Sequence, residues 1–198
     1  MKTKNNRQVP KMSEIMSNKN YYDMLYCYLQ VNSQFDSFTK TRYIPKKEIK
    51  FSVIGPALGI TRQTASTKFK KLEEMGLIIF NQKQNRYELI VLDKEIANLI
   101  PVETLRKLIS VMNENTINIY MVLINNWYMN NKMGYTIYLN TIKSCIGLST
   151  TTRSNNYIIS DIFEILQKLD LINYELQNII DNGKIRTIYF IKNVSVTL

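Results

Sequence analysis

Between Phe51 and Leu92 the apolar positions fall into two kinds of spacing, separated by turn residues. A short apolar run from Phe51 predicts a helix, with Ser52 suited to cap it and Pro56 assigned to its first turn, where a missing amide donor costs little. Leu58-Gly59-Ile60 then reads as a tight turn, and Gly59 supplies the permissive backbone such a turn needs. Thr61 is placed to cap a second helix, in which Ala65, Phe69, Leu72 and Met75 recur at helical spacing and mark the buried stripe. Gly76 ends that helix. Leu77 to Phe80 and Tyr87 to Leu92 read as two strands around the polar turn Asn81 to Arg86.

Upstream, the dense aliphatic and aromatic run Tyr21 to Val31 reads as a first helix whose tyrosines pack in a core, and Asn32 to Tyr43 as a polar connection. Downstream, Pro101 stands near the start of a helix with Leu105, Leu108, Ile109 and Met112 on one side, a connector without the composition of a flexible linker. Thr116 opens a longer helix, predicted to be amphipathic, with Ile117, Tyr120, Met121, Ile124, Trp127 and Tyr128 along one face.

The order of elements then recurs. Tyr135 to Tyr138 reads as a strand and Leu139 to Ile146 as a short helix, and the turn Gly147-Leu148-Ser149 matches Gly59-Ile60-Thr61 at an offset of 88 residues. The following helix, with Ile158, Ile159, Ile162, Ile165, Leu166 and Leu169 as its apolar positions, ends in Leu166 to Ile172, which matches Leu72 to Ile78 at an offset of 94. The second copy is therefore six residues longer between turn and helix end, and the surplus falls in Thr150 to Asn156. Strands follow at Asn173 to Leu176 and Ile185 to Ile191, with Asn182-Gly183 as a hairpin turn. An internal repeat of this kind indicates two domains. The expected layout is a basic flexible tail over residues 1–19, a first domain over 20–100, a connecting helix over 101–115 and a second domain over 116–198.

Charge adds a class of partner. The 198 residues carry a formal charge of +10, which points to a polyanion and, for a soluble chain, to nucleic acid. The excess is uneven: residues 1–100 hold 17 Lys and Arg against 9 Asp and Glu, whereas residues 101–198 hold 9 against 7. No long apolar run or basic amphipathic helix supports a membrane, and the N-terminus has no apolar signal core, so a cytoplasmic location is expected. The chain contains no histidine, and its two cysteines, Cys27 and Cys145, read as ordinary buried thiols. With no phosphate-binding glycine loop either, no metal, no cofactor and no enzymatic activity are expected.

The polar face of the helix after Thr61 carries the candidate chemistry. Arg62 and Gln63 suit base edges, Thr61, Thr64, Ser66 and Thr67 add short hydrogen-bonding side chains, and Lys68, Lys70 and Lys71 suit phosphates. Lys83 and Arg86 on the hairpin are expected to reach adjacent backbone or the minor groove, and the run Lys46, Lys47, Lys50 reads as either a solvated face or a phosphate clamp. The tail, with Lys2, Lys4, Arg7, Lys11 and Lys19, is likewise either solvated or a DNA-contacting arm. In the second copy Thr151, Thr152 and Arg153 offer a weaker contact, while Asp161 and Glu164 oppose one, so that this domain either touches DNA or pairs with protein.

The first copy, LGITRQTASTKFKKLEEMGLI, resembles the winged helix-turn-helix domains of bacterial DNA-binding proteins. The second, IGLSTTTRSNNYIISDIFEILQKLDLI, is similar to winged helices of phage and plasmid replication proteins, including the N-terminal domain of the primosomal protein DnaD. Together they cover about residues 20–192 and resemble the tandem arrangement of plasmid replication initiators. The resemblance implies a mainly α fold with small β-hairpin wings (α+β), two winged helix-turn-helix domains in tandem, and sequence-specific binding of double-stranded DNA in replication initiation. Transcriptional regulation and a protein-interaction scaffold built on winged helices are the competing roles, with a homodimer and replication proteins as further partners.

Overall fold

The computed structural model describes residues 6–10, 24–90, 97–111, 113–181 and 183–195. The remainder of the basic tail, the predicted helix start at Tyr21 to Asp23, the strand end at Val91 and Leu92, Met112 and Asn182 lie outside the described residues. The chain is mixed α+β and separates into two compact units, one built on Asn20–Glu114 together with residues 6–10, the other on Asn115–Thr197. Among the described residues no helix is long and apolar enough to cross a membrane.

The first unit opens with strand β1 (Asn6–Pro10), followed by helix α1 (Met24–Asn32), whose Met24, Leu25, Tyr26, Cys27 and Leu29 are buried. Strands β2 (Gln34–Phe35) and β3 (Arg42–Pro45) form a small hairpin within the segment expected to be a plain connection. A single 3-10 turn at Lys46–Glu48 leads into helix α2 (Phe51–Ala57), then helix α3 (Arg62–Glu74), and strands β4 (Ile78–Asn81) and β5 (Arg86–Leu89) complete an antiparallel sheet ordered β2-β3-β5-β4. The core joins the buried stripe of α3, Ala65, Phe69 and Leu72, to the sheet, with Phe69 meeting Tyr87 edge-on at 4.9 Å and Phe51 at 5.4 Å. Strand β6 (Ala97–Pro101) and helix α4 (Val102–Ser110) close the unit.

Two expectations about this unit change. Residues 6–10 are a strand, paired antiparallel with β6 from Asn6 opposite Pro101 to Pro10 opposite Ala97, so this part of the tail is ordered by a backbone ladder. Helix α4 belongs to the first unit, because Val102, Leu105 and Leu108 are buried, and it is not a separate connector. Within α2, Lys50 occupies the N-cap without a side-chain cap, Ser52 lies inside the helix, and Pro56 lies in its last turn. Proline is tolerated there because the one helical bond it removes would fall on the carbonyl of exposed Ser52.

The second unit repeats the layout. Helix α5 (Glu114–Met129) is followed by strand β7 (Tyr135–Tyr138), helix α6 (Leu139–Cys145), helix α7 (Ser154–Lys168) and the long strands β8 (Ile172–Asp181) and β9 (Lys184–Val194), in a sheet ordered β7-β9-β8. This matches β3-β5-β4 strand for strand. Helix α5 is not amphipathic: every residue from Ile119 to Ile124 is buried, so it is enclosed around its circumference. In α7 the buried stripe is Asn155, Ile159, Ile162, Phe163 and Leu166, whereas Ile158 sits one position off it and is exposed. Phe163 packs 4.2 Å from Tyr189 and 5.1 Å from Tyr174, the counterpart of the Phe69 cluster. The hairpin is longer than expected because its outer half, with exposed Ile180 and Ile185, also pairs, up to Asp181 opposite Lys184.

Candidate nucleic-acid interface

Helix α3 starts where Thr61 permits. The Thr61 side chain accepts the Thr64 N–H at 3.0 Å, and the two threonine hydroxyls share a hydrogen bond of 2.8 Å, so both side chains are engaged in the cap. Gly59, at φ +65°, turns the chain between α2 and α3, while the Ile60 N–H donates to the Gly55 carbonyl at 2.9 Å. Gly55 itself admits no side chain, since a Cβ would lie 2.8 Å from the Ile60 carbonyl oxygen and 3.2 Å from the Arg62 nitrogen. The start of α3 is thus pressed against the end of α2.

At the other end, the Leu77 N–H returns to the Leu72 carbonyl and the Gly76 N–H to that of Glu73, with Gly76 left-handed at φ +69°. This paired closure satisfies two otherwise orphaned carbonyls and stops the helix.

Between these ends the outer face of α3 is polar. Gln63, Thr67 and Lys70, spaced i, i+4, i+7, are all exposed, with Arg62 and Lys71 exposed at their flanks and Ser66 half-buried. Lys68 is committed elsewhere, its ammonium engaging the Glu114 carboxylate. The Lys46 N–H donates to the Asn85 carbonyl at 3.1 Å and its ammonium lies 4.9 Å over the Phe80 ring, which seats the basic turn against the hairpin that carries exposed Lys83. Lys47 and Lys50 are exposed as well.

Arg86 corrects the sequence expectation. Its side chain is only 9% exposed, its Nη1 donates to Asp36 Oδ2 at 2.9 Å and its Nη2 to Glu88 Oε1 at 2.8 Å, and its guanidinium lies 4.3 Å over the Tyr43 ring. The guanidinium holds the Asp36 carboxyl down at about 2, aided by the N–H groups of Phe38 and Thr39. Arg86 therefore fastens the β2–β3 loop to the sheet, and two carboxylates occupy the charge that a phosphate would need.

The second unit carries the same turn with a different exit. Gly147 is left-handed at φ +72°, and the Leu148 N–H donates to the Lys143 carbonyl at 2.8 Å, as Ile60 does to Gly55. Four of the six surplus residues delay the next helix to Ser154, and the other two lengthen it. Thr151, Thr152 and Arg153 are exposed on that loop, and the Ser149 and Thr151 hydroxyls share a hydrogen bond of 3.0 Å. Beneath it lies Lys143, at the position equivalent to Gly55 and only 2% exposed, with its ammonium donating to the carbonyls of Thr150 at 3.1 Å and Thr152 at 3.4 Å. Asn155 adds a hydrogen bond to the Ser149 carbonyl at 2.9 Å. Neither buried side chain stood out from composition, although the 88-residue offset aligns Lys143 with Gly55 and so marked the site. Asp161 and Glu164 are exposed on α7, the latter 3.8 Å from Lys168.

No known family matches the chain, and no curated protein or solved structure matches it.

Proposed function

We propose that the chain is a sequence-specific double-stranded DNA-binding protein composed of two winged helix-turn-helix domains. In this reading α3 enters the major groove and the β4–β5 hairpin is the wing of the first domain. The observation that carries it is the outer face of α3: exposed Arg62, Gln63, Thr67 and Lys70 follow a capped helix start, beside a hairpin and turn bearing Lys83, Lys46 and Lys47. A face of this composition has donors and acceptors for base edges at one end and cations for phosphates around it. Arg62 and Gln63 are the base readers; Lys70, Lys71 and Lys83 set the protein on the backbone. The balance of +8 over residues 1–100 against +2 over residues 101–198 makes the first domain the stronger reader.

Replacing Arg62 or Gln63 by Ala should cost about 1 to 3 kcal/mol of binding and relax sequence preference, whereas Lys70→Ala should weaken all duplexes alike and lower the salt slope by about one. Gel-shift titrations at two salt concentrations measure both. Unchanged binding in every variant would refute the assignment. The tandem arrangement favours initiation of replication on a plasmid or phage-like element, with directly repeated sites as its expected target. Protection of a single palindrome across a promoter would instead favour a transcriptional regulator.

A further inference from the structure

We infer that Lys143 is the positioning residue of a second DNA contact, holding the loop 149–153 in the shape that presents Thr151, Thr152 and Arg153 to a phosphate. The inference rests on the reading of the second unit as a DNA-binding domain. A buried ammonium is costly unless its protons are satisfied. Here they go to loop carbonyls, and among the described residues Lys143 has no carboxylate partner.

The consequence is chemical. The carbonyls of Ser149, Thr150 and Thr152 are bound from beneath by Asn155 and Lys143, so the acceptor groups that would repel a phosphate are already occupied. What the loop retains for a ligand is its donors: the Thr152 hydroxyl and the Arg153 guanidinium on exposed residues, with the exposed Thr151 hydroxyl paired to that of Ser149. The uncompensated charge of Lys143 adds an attraction for an anion at short range. In the first unit no such device fits, because Gly55 lies under the start of α3 with no room for a Cβ.

Fluorescence anisotropy of the full chain with a labelled duplex tests this. Lys143→Met should weaken binding several-fold and lower the log–log salt slope by about one or more. Lys143→Arg, which keeps charge and donors, should restore most of the affinity. In an Arg153→Ala background the Lys143→Met substitution should have a clearly smaller effect, since one of the groups it positions is gone. Should Lys143→Met fail to fold by circular dichroism, Lys143→Gln carries the same comparison with a donor kept and the charge removed. Wild-type affinity in the folded variant, or an equal loss with and without Arg153, would overturn the inference. That failure is distinct from failure of the proposed function, in which the wild-type chain would bind no duplex at low salt.

Discussion

The two glycine turns, between α2 and α3 and after α6, show how one backbone frame accommodates opposite local chemistry. Both turns use a left-handed glycine and the same five-residue return bond, Ile60 to Gly55 in one and Leu148 to Lys143 in the other. Where the next helix begins at once, the residue under the turn must be glycine, because the incoming backbone lies within 2.8 Å of where its Cβ would be. Where four added residues delay the helix, the same position holds a long side chain that binds the added loop from below. An insertion near a packed turn thus alters its neighbour's side-chain identity, and glycine and lysine become structurally equivalent solutions.

The comparison is tested most severely in the two cores. Phe69 and Phe163 occupy matching positions and each meets an aromatic cluster, at 4.9 Å from Tyr87 and 4.2 Å from Tyr189 respectively. Truncating either to Ala should destabilise its own unit by about 3 to 5 kcal/mol. Urea unfolding followed by amide exchange would show the loss confined to the unit that carries the change. A loss shared evenly between the units would break the view of two independent cores.

A smaller effect separates the units by pH. Removing Arg86 strands Asp36 and Glu88 and should lower the melting temperature of the first unit by several degrees. Asp36 lies at about 2 in the folded chain against an ordinary value of 3.8. Its contribution is therefore complete above the ordinary value and disappears as pH falls from there through about 2. Melting curves of wild type and Asp36→Asn should differ at neutral pH and converge in acid; a constant gap would show that the charge is not what fastens the loop.

Arg86 also marks where sequence stops being sufficient. Thr61, Gly59 and Gly76 were legible because caps and turns are written in a few adjacent residues, and the stripe of Ala65, Phe69 and Leu72 because its partners share one helix period. Lys68 and Arg86 read as free cations because Glu114 and Asp36 are 46 and 50 residues away; of the carboxylates that bind them only Glu88, two residues from Arg86, is local. The pairing of residues 6–10 with 97–101 is likewise a long-range ladder with no local signature. In α7 the run of isoleucines hides which of them face inward: Ile158, one of its apolar positions, is exposed, while Phe163, outside that set, is buried.

The finest distinction between the copies lies at the helix ends. Leu77 returns to Leu72 in one and Leu171 to Leu166 in the other, at 3.0 and 2.9 Å, yet the left-handed residue is Gly76 in the first and Asp170, at φ +58°, in the second. No atom lies within 4 Å of a Cβ built on Gly76, so a side chain there would cost only backbone strain. Aspartate bears that strain and also places a negative charge at the negative end of a helix dipole. Glycine would remove both, against a larger loss of chain entropy on folding. Asp170→Gly should therefore stabilise the second unit by about 0.5 to 1 kcal/mol, and Gly76→Asp should destabilise the first by a similar amount. Urea midpoints of the two variants give the signs directly, and a lower midpoint for Asp170→Gly would mean that the aspartate side chain itself helps to close the helix.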